Sequence, residues 1–311
     1  MHTNATDTDS SFSESKQSQL RSNLRRRPEL MTVRDGHFVR KLLEQLVMLG
    51  GGSWIALSAP SVWLRLAGVL ILGAAYARNL ELMHECMHFT ALRSFRANRF
   101  LGVLLGLPML TSFEEWRRSH LRHHADVRNE FQFSFDKVDN WGQLLRCWLM
   151  LDHYRNAYVK MVRSLWGGVD SPNPIRRAVN REHFLMAALH VAALAVTITL
   201  RTPAFIWLWL LPLMVASVVN FHIQLPEHYE CDTSSNQALR NSRSIRASRA
   251  AAWFVNNNHL HASHHWMAAM PIAHLPQLDR ELRSQVDIER DTYPRFFRKY
   301  YAHLWRNFRA A

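Results

Sequence analysis

The sequence predicts an all-α membrane protein: four transmembrane helices arranged as two hairpins, with a cytosolic helical cap. Three observations predict it. Apolar residues gather in four blocks of near-membrane length, cations avoid the short links inside each pair of blocks, and three histidine clusters follow the places where helices leave those blocks.

The 311 residues suffice for one large domain, and a hydrophobic content of 48% would suit a soluble protein if it were dispersed. It is not dispersed. Residues 1–30 contain no apolar run, so no signal peptide is expected. They are rich in Ser, Thr, Asp and Gln and end near Arg25-Arg26-Arg27, which predicts a disordered basic tail before a single membrane domain over 31–311. Leu42–Leu57 and Ser61–Ala77 form the first apolar pair, joined at Ala59-Pro60. The second helix is expected to run out of the bilayer through Ala77 to His84 and His88. Phe100–Leu110 is apolar but, at about 11 residues, short of the roughly 17–25 needed to span. It predicts a re-entrant or interfacial hairpin that returns the chain to Glu114–His120. Residues 141–166 place Trp141, Trp148, Tyr154, Tyr158 and Trp166 among Arg and Lys, as in an amphipathic interfacial helix. His183–Leu200 and Pro203–Leu225, joined at Arg201-Thr202, form the second apolar pair.

The net charge is +13, and of 38 Lys and Arg only Arg65 and Arg201 lie at the tight-turn end. The positive-inside rule therefore puts both termini, the middle segment and all three histidine clusters on the cytosolic side of a bacterial inner membrane or an ER-type membrane. The basic residues face anionic membrane lipids, and a nucleic-acid partner is not expected. The three cysteines, Cys86, Cys147 and Cys231, are odd in number and widely spaced, which fits a reducing compartment and no disulfide framework.

The clusters carry the chemistry. His84-Glu85-Cys86-Met87-His88 is H-x-x-x-H; His120-Leu121-Arg122-His123-His124 and His261-Ala262-Ser263-His264-His265 are both H-x-x-H-H. On a helix, residues at i, i+3 and i+4 share a face, so each cluster is expected to aim its imidazoles at one point. Eight clustered imidazoles exceed the three or four ligands of one zinc. They suit iron, copper, zinc or nickel, and their number suits a di-metal site with positions left open for dioxygen. The first cluster also spells H-E-x-x-H, a zinc-metalloprotease helix with Glu85 as base and His84 and His88 as ligands. That reading leaves six clustered histidines unused. His190 is expected to be packed in the interior, and His153, His183, His274 and His303 to lie at the surface or the membrane interface. His222 and His259 stay open as residues that orient a ligand histidine.

At these residues the chain resembles the membrane fatty acid desaturase and hydroxylase superfamily, whose members carry three histidine boxes of this pattern on the cytosolic face of a four-span fold. The resemblance extends to Glu227-His228-Tyr229, where the superfamily often has a further ligand, to Asn241-Ser242-Arg243-Ser244, and to Pro271–Pro276 after the third box. It implies two irons held by His84, His88, His120, His123, His124, His228, His261, His264 and His265, with O2 as co-substrate. The chain departs from the pattern at His259-Leu260 before the third box, at Trp266-Met267-Ala268 after it, and at Gln224, where some relatives have Asn. The resemblance implies O2-dependent oxidation of an unactivated C–H bond in a lipid-like chain, with acyl desaturation as the first expectation. Hydroxylation or ketolation of a lipid, sphingolipid or carotenoid is the alternative. The chain has no His-Pro-Gly-Gly haem motif and too few cysteines for a four-cysteine iron centre, so a separate ferredoxin, rubredoxin or cytochrome b5 is expected to supply electrons.

Overall fold

The structure is a computed structural model that describes residues 14–127, 138–168, 172–232, 234–235, 237–283 and 291–310. Among these residues there are helices and no strand. α1 (Glu14–Arg25) and α2 (Pro28–Met31) precede the long helices α3 (Asp35–Ser58) and α4 (Val62–Met87). α5 (Phe95–Gly106) and α6 (Phe113–Ala125) follow, then α7 (Trp141–Trp148), α8 (Leu151–Arg163) and the long α9 (Pro174–Thr199). α10 (Leu211–His228) continues a π-helical turn over Ile206–Leu210. The short helices α11 (Ala238–Asn241), α12 (Arg249–Phe254), α13 (His261–Trp266) and α14 (Leu275–Arg283) lead to the terminal α15 (Tyr293–Ala310).

Among the described residues, three helical stretches are long and apolar enough to cross a membrane: Val62–Met87, Pro174–Thr199 and Ile206–His228. The first expected span lies on α3, which does not reach that apolarity because Lys41, Glu44 and Gln45 sit inside it. Their partners are on α4. Gln45 donates to the Ala75 carbonyl and to Asn79 Oδ1, each at 2.7 Å, and accepts from Arg78 Nη1 at 3.0 Å. Lys41 Nζ meets Glu85 at 2.8 Å. These contacts run α3 antiparallel to α4, with the polar end of α3 beside the histidine-bearing end of α4. At the other end, the helices touch backbone to backbone, since a Cβ on Gly68 would lie 2.4 Å from Ala56 N.

α4 is the central element. Ser61 caps it by accepting from Trp63 and Leu64 N–H, and every residue from Ala77 to Met87 is buried. α10 packs on its opposite flank, where a Cβ on Gly73 would lie 2.4 Å from Val215 Cβ and Tyr76 donates to the Leu208 carbonyl at 2.5 Å. α9 leans instead on α8 and α6: Met186 and Ala187 pack with Ala157, Met161 and Leu110, and Glu182 accepts from Ser112 Oγ at 2.6 Å.

The short apolar stretch at Phe100–Leu110 becomes α5 and a reversal at Leu110, whose φ is 53°. A Cβ on Gly106 would sit 2.2 Å from the Thr111 carbonyl oxygen, so the reversal needs glycine there. It delivers α6 to the inner end of α4. Residues 141–166 form two helices rather than one, broken at Met150 with φ 50°. They are amphipathic as expected: Leu144, Ala157 and Met161 are buried, while Trp141, Tyr158 and Trp166 are exposed.

The expected disordered tail needs correction. Residues 1–13 lie outside the described residues, but Glu14–Arg25 is helical. Leu24 and Leu30 are buried with Trp266, Met270 and Leu278, and Arg27 pairs with Glu281 at 2.7 Å. Composition averages away the narrow i, i+4 stripe of Leu20 and Leu24 that makes this docking possible.

The glycine contacts make a test. Gly68→Val should lower thermal stability by about 1–3 kcal/mol, because overpacking must push α3 off α4. Gly50, with nothing near its missing Cβ, should tolerate alanine with no loss. Scanning calorimetry of the two variants in one detergent checks both.

Candidate metal centre

Four elements carry the nine expected ligands to one place. His84 and His88 come from the inner end of α4, His120, His123 and His124 from α6, His228 from the last residue of α10, and His261, His264 and His265 from α13. The nitrogens form two groups. His84, His88, His120, His124 and His264 offer atoms within 4.8 Å of one another, and so do His123, His228, His261 and His265.

The division corrects the expectation that each cluster points at one place. Within each box the i, i+4 pair serves one group: His84 with His88, His120 with His124, His261 with His265. The i+3 residue of each H-x-x-H-H, His123 or His264, crosses to the other group. Neighbouring residues on a helix project about 100° apart, against about 40° for i and i+4, so adjacent histidines naturally reach neighbouring points. The groups meet where His124 and His265 stack at 4.1 Å between centroids.

The spacing asks for cations. His120 Nε2 lies 2.7 Å from His84 Nε2 and 2.9 Å from both His88 Nε2 and His124 Nε2. One ring proton cannot serve three nitrogen neighbours. In the second group His228 Nε2 lies 2.9 Å from His123 Nε2 and 3.0 Å from His261 Nε2. Imidazole nitrogens bound at about 2.0–2.1 Å to one metal stand roughly 2.9 Å apart when at right angles. Both nitrogens of His264 are buried with no hydrogen-bond partner, a costly arrangement for a metal-free interior. The residues fit a metal pair.

Surrounding groups aim the rings. His228 Nδ1 donates to the Asn241 carbonyl at 2.8 Å; a carbonyl only accepts, so the proton is on Nδ1 and Nε2 presents its lone pair to the group. Arg243 donates to the carbonyls of Pro226 and Tyr229 at 3.1 and 2.8 Å, capping the end of α10 beside His228. Ser244 Oγ accepts from Ala262 N–H, and Ser263 Oγ donates to Asp279 at 2.8 Å, fixing α13. The Glu227 carboxylate is 3.4 Å from His261 Nδ1. Burial, then neighbouring imidazoles, holds His120, His124, His261, His264 and His265 well below the ordinary histidine value of 6.5. They are neutral at pH 7, the state in which imidazole ligates.

Glu85 belongs to neither group. Lys41 Nζ and Asn256 Nδ2 hold its carboxylate at 2.8 and 3.0 Å, an engagement that suits a structural anion better than the free base of a zinc protease. Asn256 was not legible as a functional residue. It lies in a run of three asparagines, with Asn256 and Asn257 left-handed at φ 51° and 62°, conformations asparagine tolerates. His222 and His259 lie outside both groups; His222 Nε2 meets Tyr301 OH at 2.6 Å. His190 packs edge-on against Trp209 at 4.2 Å. His153 and His183, expected at the surface or the membrane interface, are buried between helices.

A profile of the family described as Fatty acid desaturase matches residues 61–298. The chain belongs to the fatty acid desaturase family. All three histidine boxes of this desaturase-family chain, and His228, fall inside that match. It is similar to an sn-1 acyl-lipid omega-3 desaturase (ferredoxin) of Synechocystis sp., 26% identical over 166 residues, which are 50% of this chain and 46% of the relative. It is 22% identical to an sn-1 oleoyl-lipid 12-desaturase of Arthrospira platensis over 251 residues, 73% of this chain and 70% of that one. It is 26% identical to a chloroplastic omega-6 fatty acid desaturase of Glycine max over 129 residues, 35% of this chain and 28% of the relative. The chain thus matches less than half the length of the first of these.

His228 and His222, six residues apart on α10, separate in a simple test. His228→Ala should empty the four-histidine group and lose close to half the bound metal, whereas His222→Ala should keep all of it. Metal content per chain, by mass spectrometry of detergent-purified protein, decides; full metal in His228→Ala with loss in His222→Ala would reverse the assignment.

Proposed function

We propose that the chain is an O2-dependent di-iron acyl desaturase of the membrane, acting on the acyl chain of a lipid. The observation that carries this reading is the pair of all-histidine groups at the inner end of α4. Five imidazoles, those of His84, His88, His120, His124 and His264, would hold one iron, and His123, His228, His261 and His265 the other. When bound, such a pair supplies oxidation: a –CH2–CH2– unit, O2, two electrons and two protons give –CH=CH– and two waters. Imidazoles kept neutral by burial donate without releasing protons, and the Asn241 carbonyl fixes which nitrogen His228 presents. Buried Met83, Met87 and Trp116 exclude bulk water from the surroundings of the groups.

A lipid substrate is supported by the three apolar spanning stretches and by a cavity of about 380 Å³ among them, walled by Tyr76, Leu107, Met186, Leu189, Phe205 and Trp209. Two of the relatives act on acyl lipids by name, one of them with ferredoxin. By the same reasoning the electrons come from a separate ferredoxin-like carrier. In this reading α3 makes the fourth span, its Lys41, Glu44 and Gln45 shielded against α4. The two helix pairs then form hairpins, with both termini and the histidine cap cytosolic, and residues 31–311 act as one membrane domain.

The test is lipid profiling of a host expressing the chain beside one expressing His264→Ala. New double bonds in acyl lipids, absent with the variant, are expected. New hydroxyl or keto groups would replace desaturation by the oxygen-inserting alternative, and an unchanged lipid profile with a metal-loaded protein would sink the reading.

A further inference from the structure

Beside the seam of the two histidine groups lies a chamber of about 350 Å³ that the proposed oxidation leaves without a role. Its floor is His124 and His265, one from each group; its other walls come from α1, the end of α6, α11 and Trp266. Ser18, Arg21, Asp126, Gln237 and Asn241 make this lining polar, in contrast to the apolar cavity among the spanning helices. A methylene chain would gain little there.

Arg21 is the unusual group. Its guanidinium stands 4.8 Å over the Trp266 ring, and its Nε is buried with no hydrogen-bond partner. A buried donor left without an acceptor calls for an explanation. Arg25, one turn on, repels it, and like charges at i, i+4 weaken a helix. Among the described residues the lining holds one carboxylate, Asp126, which has a partner of its own and is not among the charges that act on Arg21. Among the described residues no anion pairs with this cation, which is held on an aromatic face, beside a second cation and facing a polar chamber.

We propose that this chamber is an oxyanion site that takes a phosphate group, free or on the head of a lipid. The planar fork of Arg21 suits two phosphate oxygens at once, the Ser18 hydroxyl and the Gln237 amide add neutral donors, and Arg25 adds charge from the rim. A phosphate bound there ties α1 to α11 and closes the cover over His124 and His265. The recognition depends on these side chains and not on turnover, so it stands or falls apart from the oxidation.

The test is calorimetric titration of the full, metal-loaded chain in detergent with inorganic phosphate and with glycerol 3-phosphate, against chloride at equal ionic strength. Saturable binding of one phosphate per chain is expected. Arg21→Gln should weaken it about tenfold or more, as loss of a charge-assisted bond requires, and Arg21→Lys should fall between, having the charge without the fork. Arg26→Gln, exposed just beyond the end of α1 and outside the lining, should bind as the parent does. Glycerol 3-phosphate binding about tenfold tighter than inorganic phosphate would assign the site to a lipid head, and equal affinity to free phosphate; each supports the proposal. No saturable heat with either ligand, or Arg21→Gln and Arg21→Lys both binding like the parent, would overturn it.

Discussion

Nine buried or half-buried imidazoles gathered into two groups, seven of them with a ring nitrogen 2.7–3.0 Å from that of a neighbour, are the constraint on which the rest of the structure depends. Lone pairs at that distance repel unless a proton or a metal stands between them, and burial disfavours protons here. The scaffold therefore has to bring four separate elements together and hold them against that repulsion until a cation arrives. Several buried polar contacts around the groups serve this purpose. Lys41 and Asn256 clasp Glu85 on α4, Arg117 donates to the Met87 carbonyl at 2.9 Å and stacks over Phe89, and Arg243 caps α10. Each ties the end of one histidine-bearing helix to a neighbour.

The same constraint explains the helix order. The histidine groups form where helices end, and α4 and α10 both end there, packed along each other with glycine at Gly73 to allow it. α5 is too short to cross and turns back at Gly106, which is what places α6 beside the inner end of α4. Alternation of the two H-x-x-H-H boxes between the groups then stitches α6 and α13 across both centres. Loss of one box would disturb both groups.

Much of this was legible in the sequence, for physical reasons. Histidine spacing on a helix reports directly on geometry, so all eight clustered positions fall in the two groups. His228 had no cluster to support it and rested on the motif Glu227-His228-Tyr229. What could not be read was which group each imidazole joins, because that depends on the relative placement of α4, α6, α10 and α13. The order of α1 was missed since two leucines do not alter the composition of a polar tail. α3 looked like a plain span because its apolar run begins at Leu42, whereas its polar residues matter through partners about thirty to forty-five positions away on α4. His153 and His183 show the converse error: a histidine outside a motif gives no sequence signal of burial.

The central claim is that these imidazoles hold two irons in two separate groups. The most direct measurement is an experimental structure of the purified, iron-loaded chain with anomalous diffraction recorded on either side of the iron absorption edge. Two anomalous peaks are expected, one among His84, His88, His120, His124 and His264 and the other among His123, His228, His261 and His265. A single peak bound by His84 and His88 with a zinc signature, and none in the second group, would contradict the account.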